Sequence, residues 1–212
     1  FKANSVKEQR RLGHTSHHPR YAIAYKFQGD SGTTKLVDIE WSVARTGAIT
    51  PVAIVEPVAL SGVTVTRASL HHAGFLQKLD LTVGAEVEIV RRGGVIHNVE
   101  RVVKAGGAHY EIPKECPSCK RRAVMRKDFL YCEDPSTCRD AIIGQLGHYA
   151  GTTDMMGFGG SILAGAYDAG ILSSPADFYK LTWEQLSKLD RCGEKVAKKL
   201  IKEVDKKRKL EL

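Results

Sequence analysis

Hydrophobic and polar positions change their period near the middle of the chain. In Val37-Asp38-Ile39-Glu40-Trp41-Ser42-Val43 the apolar residues fall at every second position, the pattern of a strand with one face in a core. Residues 51–55, 63–67, 86–91 and 95–103 repeat the theme. Gly47, Gly62, Gly84 and the Gly93-Gly94 pair separate them as turn punctuation. Within this stretch only residues 70–79 carry a helical period. Five short strands predict a small closed barrel. Ala105-Gly106-Gly107-Ala108 reads as a linker, and beyond it the pattern turns helical over residues 142–150, 161–169, 175–181, 182–189 and 194–207. Ser174 before Pro175 is an N-cap ahead of a proline at the first helical position, and Thr182 with Gln185 forms a capping box. In the last helix Val196, Leu200 and Ile201 make an apolar stripe among Lys195, Lys198, Lys199 and Lys202. Residues 4–20 are polar. The run Tyr21-Ala22-Ile23-Ala24-Tyr25-Lys26-Phe27 that follows reads as a buried strand, and its Lys26 is an ammonium that needs an anion beside it.

Composition narrows the classes. The 212 residues leave room for several small domains, and 42% apolar content is enough to build their cores. No apolar run is long enough to span a membrane. Lys plus Arg is 32 against 24 for Asp plus Glu, a net charge of +8, which suits a polyanion partner. The first eleven residues contain no apolar signal region, and the five cysteines are an odd count, so a disulfide scaffold is not expected. A chain that begins at Phe1 is expected to be a piece of, or processed from, a longer one. A single-strand-binding barrel would need an aromatic stacking face, but aromatic content is only 7% and the barrel stretch offers little beyond Trp41 and Phe75.

Three groups of residues carry candidate chemistry. Cys116, Cys119, Cys132 and Cys138 are spaced C-x2-C-x12-C-x5-C. Four thiolates close a tetrahedral zinc ion and leave no position for water, so the ion is structural and its binding supplies folding energy. Cys192 has no partner and reads as a small core residue. Gly157-Phe158-Gly159 joins two helical patterns and can bring backbone N–H groups against a phosphate, as a helix-hairpin-helix clamp does. Gly193, in Leu189-Asp190-Arg191-Cys192-Gly193, marks a second such hairpin; the bland reading of both is a glycine-rich helix turn. Residues 195–209 hold eight basic against two acidic residues, which a solvated helix face also explains. In the barrel Arg45, Thr46 and Gly47, and Arg91 and Arg92, stand at glycine turns from which guanidinium groups can reach phosphates, or merely face solvent. The pairs His17-His18 and His71-His72 point their side chains apart and make no metal site.

Together these segments resemble the middle and later part of a bacterial-type NAD-dependent DNA ligase. The resemblance is carried by Leu12-Gly13-His14-Thr15, Pro19 to Phe27, Arg45-Thr46-Gly47-Ala48-Ile49-Thr50-Pro51-Val52-Ala53, the four cysteines and Gly157-Phe158-Gly159. It implies a multi-domain α+β chain. Residues 1–28 would end the nucleotidyltransferase domain, 29–110 form a five-stranded OB-fold barrel, 111–139 a four-cysteine zinc finger, and 140–212 a helix-hairpin-helix region. It implies nick sealing in duplex DNA, in repair and replication, through enzyme-AMP and DNA-adenylate intermediates. Lys2 and Lys26 would be catalytic and adenylate-contacting, Zn2+ structural, and NAD+ with Mg2+ or Mn2+ required by the intact enzyme. Nicked double-stranded DNA would be the partner of a cytoplasmic, nucleoid-associated monomer, with NAD+ held by domains upstream. The chain also departs from that pattern. It contains no Lys-x-Asp-Gly nucleophile motif, so it is not expected to adenylate itself; Arg191 replaces a hairpin glycine and His97 a proline. The rival expectation is a non-catalytic zinc and OB-fold DNA-binding adaptor.

Overall fold

The computed structural model describes residues 1–24, 30–60, 62–92 and 96–208. The alternation read over residues 37–43 belongs to β1 (Ser31–Val43), which pairs antiparallel with β2 (Ala48–Leu60). The register shifts between Leu36 and Asp38, so Leu36 and Ile39 both face inward while Val37 is 53% exposed. Simple alternation placed Val37 on the core face. The bulge reverses that phase, as one extra residue always does. β2 runs further than expected, its pairing with the next strand resuming at Val58 beyond a second irregularity between Ile54 and Val58, where Pro57 lacks a ladder donor.

β3 (Val63–Ser69) returns along β2. β4 (Glu86–Arg92) pairs with both β1 and β5 (Ile96–Lys104), and β5 meets β3 in parallel at Ser69 and Asn98. These pairings close a ring of five strands, the expected OB-fold barrel. Its core holds Leu36, Val55, Leu60, Val65, Val87, Ile89 and Val99, together with Leu76 from α2 (Ala73–Lys78). The expected linker at 105–108 is tied into the barrel. Gly106 N–H donates to the Thr82 hydroxyl at 2.7 Å and Gly107 N–H to the Val83 carbonyl at 2.8 Å. A Cβ at Gly106 would lie 2.1 Å from that carbonyl oxygen, so the glycine serves a close approach and not flexibility.

The cysteine segment contains a hairpin that the hydrophobic pattern did not reveal, β6 (Ala123–Arg126) and β7 (Phe129–Cys132). β7 adds to the first residues of β2, Ala48 opposite Tyr131 and Ile49 opposite Leu130, so the barrel sheet continues into it. A small core of Ile49, Ala73, Leu130, Ala141, Cys116, Cys132 and Cys138 fills the junction.

The helices follow: α3 (Arg139–Thr152), α4 (Gly160–Asp168), a short 3-10 helix (Pro175–Lys180), α5 (Trp183–Leu186) and α6 (Glu194–Lys206). Both caps form: Asp177 accepts from Ser174 N–H at 2.9 Å, and Gln185 accepts from Thr182 N–H at 2.9 Å. Their core centres on Phe178, Leu146, Leu163, Leu172, Leu186 and Leu200, and it includes Cys192. The buried stripe of α6 is Ala197, Leu200 and Val204; Val196 is 42% exposed. Reading the stripe from bulky side chains alone overlooked Ala197.

At the N-terminus α1 (Val6–Leu12) buries no side chain. Lys2 bridges Ala22 antiparallel, and Ala3 N–H donates to the Tyr21 carbonyl at 2.9 Å. The run from Tyr21 was expected to be buried, yet Ile23 is 70% exposed, because this short pairing leaves both faces open. Lys26 lies outside the described residues. Among the described residues no helix is long and apolar enough to cross a membrane.

Candidate metal centre and nucleic-acid interface

Cys116 and Cys119 sit on a tight knuckle. Cys116 N–H donates to the Arg121 carbonyl at 2.7 Å, Lys120 N–H to the Cys116 carbonyl at 2.9 Å, and Lys120 takes the left-handed conformation, φ 61°. Cys132 ends β7 with its N–H on the Gly47 carbonyl at 2.8 Å, and Cys138 is the N-cap residue of α3. The strand, the knuckle and the helix start converge so that the four Sγ atoms lie within 4.8 Å of one another, with Cys116–Cys138 at 3.8 Å and Cys119–Cys132 at 3.5 Å. A tetrahedron of sulfurs about 2.3 Å from a zinc ion has edges of roughly 3.8 Å, so the set fits a tetrahedral metal. Burial pushes the Cys116 thiol up, and burial with the Cys119 thiol beside it pushes Cys132 up to about 12. Crowded buried thiols of this kind are resolved by a cation that holds them as thiolates.

Asp134, which the cysteine spacing did not single out, organises the second knuckle. It accepts from Ser136 N–H at 3.1 Å and the Thr137 hydroxyl at 2.8 Å, and it pairs with Arg121. The Ser136 and Thr137 hydroxyls hold its carboxyl down at about 2.

The barrel candidates divide. Arg45 and Thr46 are exposed, whereas Gly47 is buried in the left-handed region, φ 81°, where a Cβ would lie 2.6 Å from the Pro135 Cβ. Arg91 N–H donates to the Asp30 carbonyl at 3.0 Å, and Arg91 faces His97 across β4 and β5. The side chain of Arg92 lies outside the described residues, as do Gly93 and Gly94.

The two helical hairpins have one construction. Gly157 (φ 95°) precedes buried Phe158 and then Gly159, the N-cap of α4; Arg191 (φ 58°) precedes buried Cys192 and then Gly193, the N-cap of α6. Gly159 and Gly193 adopt extended conformations, φ −75° and −65°, open to any residue. A Cβ at Gly159, Gly160 or Gly193 would meet nothing within 4 Å. The chain itself therefore makes no demand for glycine there, and the bare N–H groups of both helix starts stand open to a ligand. Gly157 is required by its own chain. Its φ favours glycine, and a Cβ would lie 2.9 Å from Leu200, which seats the first hairpin on α6. On α6, Lys195, Lys199 and Lys202 form no ion pair among the described residues, while Lys198 pairs with Glu194 and Lys206 with Glu203.

Residues 33–110 match the model of the NAD-dependent DNA ligase OB-fold domain. DNA ligases from Ligilactobacillus salivarius and Levilactobacillus brevis are each 40% identical over 98% of the chain, and one from Acidobacterium capsulatum is 39% identical over all of it. The barrel is similar to the OB-fold of NAD-dependent DNA ligases, and the chain as a whole is similar to bacterial DNA ligases. The match runs through barrel, cysteine cluster and hairpins, so the family resemblance read from separate motifs holds along the whole length. The chain spans 32% of the length of each of those three relatives.

Proposed function

We propose that the chain is the DNA-gripping portion of an NAD-dependent DNA ligase, the whole protein sealing single-strand nicks in duplex DNA through enzyme-AMP and DNA-adenylate intermediates. The observation that carries this reading is the pair of open helix starts at Gly159 and Gly193, with Lys195, Lys199 and Lys202 of α6 forming no ion pair among the described residues. They lie on the same chain as a barrel similar to that of the ligase family. Contacts from bare N–H groups and lysines are contacts to the phosphate backbone, which suits an enzyme that must accept a nick in any sequence. Arg45, Thr46 and Arg91 extend the grip from the barrel, and Arg92 belongs to the same proposal.

Zinc is the ion proposed for Cys116, Cys119, Cys132 and Cys138, since four sulfur ligands leave no open position for chemistry. It would join barrel and helices, whose small shared core contains three of these cysteines. Lys2 is exposed beside Ala22 and forms no ion pair among the described residues. With Lys26 it is proposed to offer a cation to the adenylate phosphoryl group, where negative charge develops. Binding of NAD+ and of a divalent cation such as Mg2+ is assigned to the whole protein. The domain boundaries at 28, 110 and 139 are kept as proposed divisions of a continuous structure, and the whole is proposed to act as a monomer at the nucleoid.

The test is titration of the zinc-loaded chain with nicked duplexes of unrelated sequence at several salt concentrations. The expected result is similar affinity for each sequence and a log–log salt slope that falls by about 0.9 for each phosphate-contacting cation removed. A flat slope would reject the reading. Incubation with NAD+ is expected to leave no lysine–AMP adduct on this chain, which contains no Lys-x-Asp-Gly.

A further inference from the structure

The exposed guanidinium of Arg45 is anchored from outside its own barrel. Residues 44–47 make a tight turn, with Gly47 N–H on the Ala44 carbonyl and Ala44 N–H on the Ala48 carbonyl, both at 2.8 Å. That turn is closed from two sides. The cysteine segment holds Gly47 through Pro135 and through Cys132 N–H on the Gly47 carbonyl. Helix α3 holds Arg45: the Gln145 side-chain amide donates to the Arg45 carbonyl at 3.1 Å, one hundred positions away in sequence. Next to it, Gly144 leaves the space for this approach, since a Cβ there would lie 3.0 Å from the Arg45 Cβ and 3.1 Å from its Cα. A fixed carbonyl plane sets the Arg45 backbone and so the direction of its Cα–Cβ bond. Among the described residues the Arg45 guanidinium itself makes no ion pair.

We infer that Gln145 and Gly144 are positioning residues through which the helical region aims Arg45 of the barrel at the DNA backbone. The inference rests on the proposed DNA contact of Arg45 and adds that this contact is set from α3. The two halves of the molecule then grip DNA as one unit.

A double-mutant cycle on the zinc-loaded chain with nicked duplex tests it. R45A is expected to weaken binding about eightfold at 0.1 M salt, the counterion-release value of one phosphate contact. Q145A is expected to weaken it roughly threefold, with zinc content unchanged and the melting temperature lowered only by the few degrees that one net hydrogen bond supplies. G144A should act in the same direction by pushing the Arg45 backbone. Neither α3 substitution should weaken binding further once R45A is present, because the group they aim has gone. Wild-type affinity in Q145A, or losses that multiply in the double variant, would overturn the inference while leaving the proposed contact standing. Wild-type affinity in R45A would remove that contact and the inference with it.

Discussion

The barrel-and-cysteine half and the helical half of the chain are held by different physics. The barrel is closed by ladders between residues far apart in sequence, such as Ser31 with Val90 and Ser69 with Asn98, and β6 and β7 extend it with few buried side chains of their own. The helical half is assembled from short pieces with local stop and start chemistry, the Ser174 and Thr182 caps and the two N-cap glycines, around a core that contains Phe178. The comparison teaches that the second half can be written in local signals, whereas the first needs either long-range pairing or a metal.

The largest effect that sharpens this contrast is metal removal. Structural zinc contributes on the order of 10 kcal/mol to small thiolate folds. Chelation, or C132S, is expected to abolish hydrogen-exchange protection in β6 and β7 while amides of α4 and α6 stay protected. Loss of protection across the helices as well would show that the two halves share one cooperative unit. Next, F178A is expected to cost about 3–5 kcal/mol, since Phe178 is fully buried and contacts the rings of Phe158 and Tyr149. Denaturant unfolding followed by helical circular dichroism measures it, and the barrel transition should stay in place.

Within the helical half the hairpins form a closer comparison, the same turn built with Gly157 in one and Arg191 in the other. G157A should destabilise by about 2 kcal/mol, combining left-handed strain with the approach to Leu200. R191G should raise stability by about 0.5 kcal/mol, strain relief being partly offset by the freedom glycine gains in the unfolded chain. Melting temperatures that moved together in these two variants would break the equivalence of the hairpins.

The smallest expected effect is on pH. Hydrogen bonds from Ser174 first, then from Lys180 and Ser173, hold the Asp177 carboxyl far below its ordinary range. A carboxyl depressed in the folded state stabilises fully above its unfolded value near 4 and loses that contribution as pH falls below it. D177N is therefore expected to flatten the acid limb of the helical transition and to leave the barrel's unchanged.

How much was legible follows the same division. The spacing of Cys116, Cys119, Cys132 and Cys138 named a ligand set, and the structure brings their sulfurs together. Glycine turns and alternation identified five strands, and Thr182 with Gln185 announced its own cap. Each of these signals is carried by residues that meet their partners nearby or that possess a distinctive chemistry. Hidden from the pattern were the outward turn of Val37, the tying down of Gly106, the choice of Ala197 over Val196 for burial, the openness of Ile23, and β6 with β7.

The sequence by itself determined the four-cysteine cluster, most of the strand and helix inventory and the placement of the two hairpins. Tertiary structure alone decided which face of β1 turns inward after its bulge, that the cysteine hairpin continues the barrel sheet, and that Gln145 reaches the carbonyl of Arg45. The reason is range: periodicity and capping act over a few residues, whereas a register, a shared core and a hydrogen bond across one hundred positions exist only once distant segments have packed.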